Sequence, residues 1–132
     1  MKALAILFLA ISIQLVNAQE ADPIGEQFFR PELIMANQQA INLSDDQKDV
    51  IKKLMQEFQS EFMDMNWEMT DLSTELKHII SMSTVDESKA ISQLSQVLEL
   101  ENRVKKKQIT LLIRIKNTLT KQQQDKLHEL RK

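Results

Sequence analysis

The run DDQKDVIKKLMQEFQSEFMDMNWEMTDLSTELKHIIS, residues 45–81, contains neither Gly nor Pro. Placed 100° apart, Ile51, Leu54, Met55, Phe58, Phe62, Met65, Met69, Leu72, Leu76 and Ile80 fall within about 60° of one line. Such a stripe belongs to a helix that buries one side, and at 1.5 Å per residue this helix is ~55 Å long. The pattern breaks at Ser81-Met82-Ser83-Thr84-Val85. A second long helix is expected over Asp86–Thr118, with Leu94, Val97, Leu98, Val104, Leu111, Leu112 and Ile115 facing inward. Two long helices joined by a short turn make an αα-hairpin.

Two shorter helices flank it. Pro31 suits a first helical position, where its missing N–H has no partner to lose, and a helix is expected over Pro31–Asn42 with Leu33, Ile34, Ala40 and Ile41 as its apolar contacts. In Leu43-Ser44-Asp45-Asp46-Gln47 the Ser44 hydroxyl can cap the Gln47 amide while the Gln47 side chain reaches back, a capping box. Asp45 and Asp46 suit the positive end of the helix dipole. Leu119-Thr120-Lys121-Gln122-Gln123 repeats the pattern and opens a last helix carrying Leu127 and Leu130. The expected fold is therefore all-α, a long hairpin plus two short helices, as one domain over residues 31–132.

Composition agrees. Among 132 residues there are one Gly, two Pro, no Cys and no Tyr. Sheets joined by tight turns need Gly and Pro as punctuation, so the composition argues against a sandwich, barrel or doubly wound sheet. Without Cys there is no disulfide, thiol nucleophile or thiolate metal site. Lys2, the apolar run Ala3–Val16 and the small-residue site Val16-Asn17-Ala18 read as a secretory signal cut after Ala18. The run is shorter than the ~20 residues of a membrane span, and the mature chain is expected to have none. Residues 19–30, with Pro23, Gly25, Phe28 and Phe29, read as a flexible N-terminal arm. A bare hairpin cannot bury a compact core, so a second copy is expected to cover it in a homodimer.

Charge is divided along the chain. Gln19–Glu101 holds 6 basic and 17 acidic residues, whereas Asn102–Lys132 holds 10 basic and 2 acidic. If the hairpin turns near Thr84, Glu57, Glu61, Asp64 and Glu68 lie beside Arg103, Lys105, Lys106 and Lys107, where exposed pairs would set register. The same four cations are candidates for contact with acidic clients or partners. An exported, net-acidic chain with one Trp does not fit nucleic acid.

Few residues suggest chemistry. His78 and His128 stand far apart and near no Ser or Asp motif, so no catalytic residue and no enzyme activity is expected. Glu75 and His78, at i and i+3, could share a transition metal with Met82 one turn later, the one metal set the sequence offers. No resident cofactor is otherwise expected. Met63 and Trp67, at i and i+4, lie about 120–160° from the apolar stripe. An apolar pair with the only Trp on the wrong side of a helix marks a surface that meets a client, a partner or a second copy. Phe28 and Phe29 are a second apolar candidate that either meets clients or docks on the core. Glu101 falls inside the inward stripe of the second long helix, with Gln108 two turns on, and calls for a nearby cation or water.

The paired Leu-(Ser/Thr)-x-x-Gln motifs, Leu43–Gln47 and Leu119–Gln123, together with a leader, no Cys and four helices, resemble the Spy/CpxP family of periplasmic chaperone and stress proteins, related to CnrX- and ZraP-type heavy-metal sensors. Pro31-Glu32-Leu33-Ile34-Met35 is similar to the segment preceding the first motif in the heavy-metal branch. The resemblance covers residues 31–132. It implies an interlocked homodimer forming a curved cradle in the periplasm, which binds unfolded clients without ATP or restrains a membrane-bound stress regulator. The alternative it implies is a heavy-metal sensor or resistance protein that binds a transition-metal ion and signals to a membrane regulator. Leu43, Ser44, Gln47, Leu119, Thr120 and Gln123 carry over as caps and packing.

Overall fold

A computed structural model describes residues 22–131; the expected leader and its expected cleavage site lie outside the described residues. Among these residues the fold is all-α. A 3-10 turn at Gly25–Gln27 precedes α1 (Pro31–Ala36), α2 (Asp45–Ile80), α3 (Glu87–Thr118) and α4 (Lys121–Arg131). The described chain packs as two compact units, and α2 and α3 each pass through both. One unit contains residues 22–25 and Phe62–Lys105; the other contains Glu26–Glu61 and residues 106–131.

The second of these units holds the larger apolar core. Phe29, Ile34, Ile41, Ile51, Ile115, Leu119 and Leu127 are buried together, with Leu33, Leu43, Leu54, Met55 and Leu111 packed against them. Each such side chain contributes about 1.5–3 kcal/mol when fully removed from water. Pro31 opens α1 as its spacing suggests, but α1 stops at Ala36 instead of reaching Asn42. Asn37 explains the early stop. Its amide N–H bonds the Ile34 carbonyl at 3.2 Å, and its side-chain Nδ2 donates to the Leu33 carbonyl at 2.8 Å. A side chain that takes a carbonyl from the helix ladder ends the helix there. Asn42 then adopts φ 52°, a left-handed conformation that Asn tolerates better than most residues, and turns the chain into the first motif.

Both capping boxes form. Ser44 Oγ accepts from the Gln47 amide at 3.1 Å, and Gln47 Oε1 accepts from the Ser44 amide at 3.0 Å. Thr120 and Gln123 do the same at 3.2 and 2.9 Å. The two glutamines also bond each other, Gln47 Nε2 to Gln123 Oε1 at 2.7 Å and Gln123 Nε2 to Gln47 Oε1 at 2.9 Å. The remaining donors reach the Thr118 carbonyl at 2.9 Å and the Ile41 carbonyl at 3.1 Å. Each amide thus uses both donor and both acceptor capacities.

In the other unit α2 and α3 run antiparallel, since Gln93 bonds the Leu72 carbonyl at 2.9 Å and Arg103 meets Glu68 at 3.2 Å. Asp86 caps α3 by accepting from the Lys89 amide at 3.1 Å. Met65, Leu76, Val97 and Leu100 are buried here. Two expected core positions are not: Ile80 is the last residue of α2 and exposed, and Leu98 is exposed while Leu100 takes the inward place.

The expected flexible arm is corrected over residues 26–30. Phe29 is 0% exposed, its ring edge-on to His128 with centroids 4.8 Å apart. The Arg131 guanidinium lies 5.2 Å from the Phe29 ring centre and donates to the Glu26 and Phe28 carbonyls. The aromatic side chain needs the core, and α4 supplies both a wall and a cation to hold it. Phe29→Ala is therefore expected to destabilise the protein by about 3 kcal/mol or more in urea unfolding. A loss below about 1 kcal/mol would show that the segment does not belong to the core.

Candidate functional site

The α2 stripe that buries Met65 and Leu76 leaves the opposite side of that helix to solvent. There Met63 is 63% and Trp67 69% exposed, one helical turn apart. The hydroxyls near them are turned to backbone: Thr70 Oγ1 donates to the Asn66 carbonyl at 3.0 Å and Thr74 Oγ1 to the Thr70 carbonyl at 2.7 Å. What this face offers is therefore a thioether, an indole and neighbouring carboxylates. A large exposed indole beside a flexible Met provides adaptable apolar contact without a pocket of fixed shape.

Of the other residues singled out from sequence, Phe28, Phe29, Lys106 and Lys107 belong to the other unit. Phe29 is withdrawn from surface contact by its burial, and Phe28 is half-buried with its carbonyl held by Arg131. Arg103 is engaged by Glu68, with Nη1 at 3.2 and 3.4 Å from the two carboxylate oxygens. Lys107 is paired with Glu61 at 2.7 Å, within the other unit. Lys105 and Lys106 are exposed. Of the four expected α2 partners, Glu57 and Asp64 carry no ion pair among the described residues. The basic stretch is thus partly spent on internal register, as exposed pairs worth little individually. The six motif residues serve the capping boxes and the core, in the unit that does not contain Trp67.

Glu75 and His78 are exposed on the last turns of α2, and Met82 is exposed beyond its end. Among the described residues no three His, Cys, Asp or Glu side chains are placed to hold a metal ion together. Glu75 and His78, at i and i+3, share one side of the helix.

Glu101 is the electrostatic oddity. It is 7% exposed, and its Oε1 is buried without a hydrogen-bond partner. Burial pushes its carboxyl above the usual range, while Lys105, one turn on, pulls it down. The expected cation is present but makes no ion pair with it. Gln108 Oε1, in the other unit, is likewise buried without a partner.

The sequence model of the heavy-metal resistance family matches residues 3–128. The chain belongs to that family. No curated protein and no solved structure gives a match. Family membership agrees with the resemblance carried by the two motifs at its broader level, heavy-metal resistance, without selecting one branch. No helix among the described residues is long and apolar enough to cross a membrane.

Because the folded state holds the Glu101 proton more tightly than the unfolded chain does, this group favours folding most below the ordinary carboxyl range. That contribution is lost as pH rises through the raised folded-state value. A buried acceptor left unpaired costs about 1–3 kcal/mol. Glu101→Leu is therefore expected to melt higher than the parent at pH 7, with the two curves converging toward acid pH. A variant less stable than the parent at pH 7 would show that Glu101 has a stabilising partner.

Proposed function

We propose that this member of the heavy-metal resistance family is an exported, ATP-independent chaperone or envelope-stress adaptor that holds non-native polypeptide against the Met63–Trp67 side of α2. The single observation carrying the reading is that pair: the only Trp of the chain and an adjacent Met stand in solvent on a helix whose other side is core. A stable soluble fold has no internal use for them there, and promiscuous binders use such flexible apolar surface. The paired motifs, by their resemblance to the Spy/CpxP family, support the same reading. Export rests on the leader-like first 18 residues.

The protein acts as a homodimer in this account. Within one unit Ile91 and Leu98 of α3 are exposed, and within the other Ile109 and Ile113. Apolar side chains spaced 7 and 4 apart on a helix surface are what a second copy would cover.

Trp67→Ala combined with Met63→Ala is expected to weaken suppression of the aggregation of reduced lysozyme at least several-fold. Helix content by circular dichroism should stay unchanged, because exposed positions cost little stability. Unchanged suppression would remove this face from the account.

The family's name favours one rival, a sensor that binds a transition-metal ion through Glu75, His78 and Met82. Its donors mix a hard carboxylate with a soft thioether, and our reading assigns no metal to them. Melting of the protein is expected not to move on addition of Zn, Cu, Ni or Co. An ion bound at 100 times its Kd would stabilise by about 2.7 kcal/mol, and such a shift, abolished by His78→Ala, would establish the sensor instead.

A further inference from the structure

We infer that the Met63–Trp67 face selects cationic amphipathic polypeptide, segments in which Lys or Arg alternate with apolar side chains. The inference rests on the client-binding reading above and names its client class. It reverses the assignment of acidic clients that the basic stretch suggests.

From Leu54 to Leu76, α2 carries six acidic residues and no basic one. Asp64 precedes Trp67 by three positions and Asp71 follows it by four, so a carboxylate lies one turn away on either side of the indole. Glu75 extends the row by a further turn. Glu68 is already taken by Arg103, whereas Asp64, Asp71 and Glu75 have no ion pair among the described residues. The described part of the unit that contains Trp67 has nine acidic and four basic residues. Of its three α3 cations, Lys89 stands in the first turn of the helix, Arg103 is neutralised by Glu68, and Lys105 lies close enough to Glu101 to act on it.

Three effects then point the same way. An exposed indole face attracts Lys and Arg through its quadrupole, at about 0.5–1 kcal/mol in solvent, and gives an anion no such attraction. The flanking carboxylates add attraction for cations and repel anions over a Debye length of about 8 Å at physiological salt. Met63 supplies an adaptable apolar contact for the alternate side chains of the segment. A neutral apolar segment would gain only the last of these, and an acidic one would be opposed by the second.

Trp67 is the only tryptophan, so its emission reports binding on the full chain without a label. The probes are three Trp-free peptides of equal length with the same leucine positions, alternating with Lys, Ser or Glu. The Lys peptide is expected to shift Trp67 emission and to bind at least 10-fold tighter than the Glu peptide at low salt. That ratio should fall at least 3-fold in 0.5 M NaCl. Asp64→Asn with Asp71→Asn should remove most of the Lys peptide's advantage over the Ser peptide, leaving the part that the Trp67 indole and Glu75 supply. Asp49→Asn with Glu57→Gln, which removes the same charge from the other unit, should preserve the preference. Equal or tighter binding of the Glu peptide, or a preference untouched by the Asp64 and Asp71 changes, would overturn the inference. In that case, Ser-peptide binding that needs Met63 and Trp67 would leave the chaperone reading standing. Failure of all three peptides together with undiminished client aggregation would overturn both.

Discussion

The reciprocal pair of amides, Gln47 and Gln123, is the constraint on which the Phe29-containing unit depends. Each glutamine closes the capping box at the start of its own helix and then spends its remaining capacity on the other. Because each also takes a carbonyl from the turn before the opposite helix, the starts of α2 and α4 are held against one another with no polar atom of either amide left over. Ile51, Leu119 and Leu127 are thereby brought into one core, and the Phe29 side chain has somewhere to go. An apolar residue at either position would orphan several buried groups at once, which is why a polar pair is retained inside an apolar cluster.

The rest of the chain follows a weaker rule. Away from that clasp, α2 and α3 are held by a narrow line of apolar contacts among Met65, Leu76, Val97 and Leu100, plus exposed ion pairs. A buried, unpartnered carboxylate at Glu101 interrupts the α3 side of that line. Regions with few buried apolar contacts open at low free-energy cost. The apolar pair assigned to client contact stands in this sparsely buried unit, while the two Leu-(Ser/Thr)-x-x-Gln motifs stand in the one with the larger core. Stability and contact are thus divided between different stretches of the same two helices.

Much of this was legible in the sequence, for local reasons. Capping boxes, Pro31 at a helix start and the burial of Ile51, Met65 and Leu76 follow from interactions within a few residues or from period alone. Period alone misplaced Leu98 for Leu100, because α3 carries apolar residues on two sides: Ile91, Leu98, Ile109 and Ile113 form an exposed series beside the buried one. Phe29 read as part of an arm because nothing local reveals that Arg131, more than 100 residues away, holds the backbone around it. The bonding of Gln47 to Gln123 was hidden for the same reason, since each motif alone is complete as a cap. The exposed position of Met63 and Trp67 was legible from angle. The acid row beside them is visible as composition, but which carboxylates stay without ion pairs depends on the pairing of α2 with α3, in which Arg103 and Lys107 engage Glu68 and Glu61 and leave Asp64 and Asp71.

The central claim is that non-native polypeptide meets this protein at Trp67. Site-specific photo-crosslinking tests it most directly, with a benzophenone amino acid placed at position 67 and, as a control, at position 48, which is exposed in the first turn of α2. With an unfolding client present, the account predicts covalent client adducts from position 67, few from position 48, and none at either once the client has reached its native state. Equal adduct yields at both positions, or adducts at position 48 alone, would contradict it.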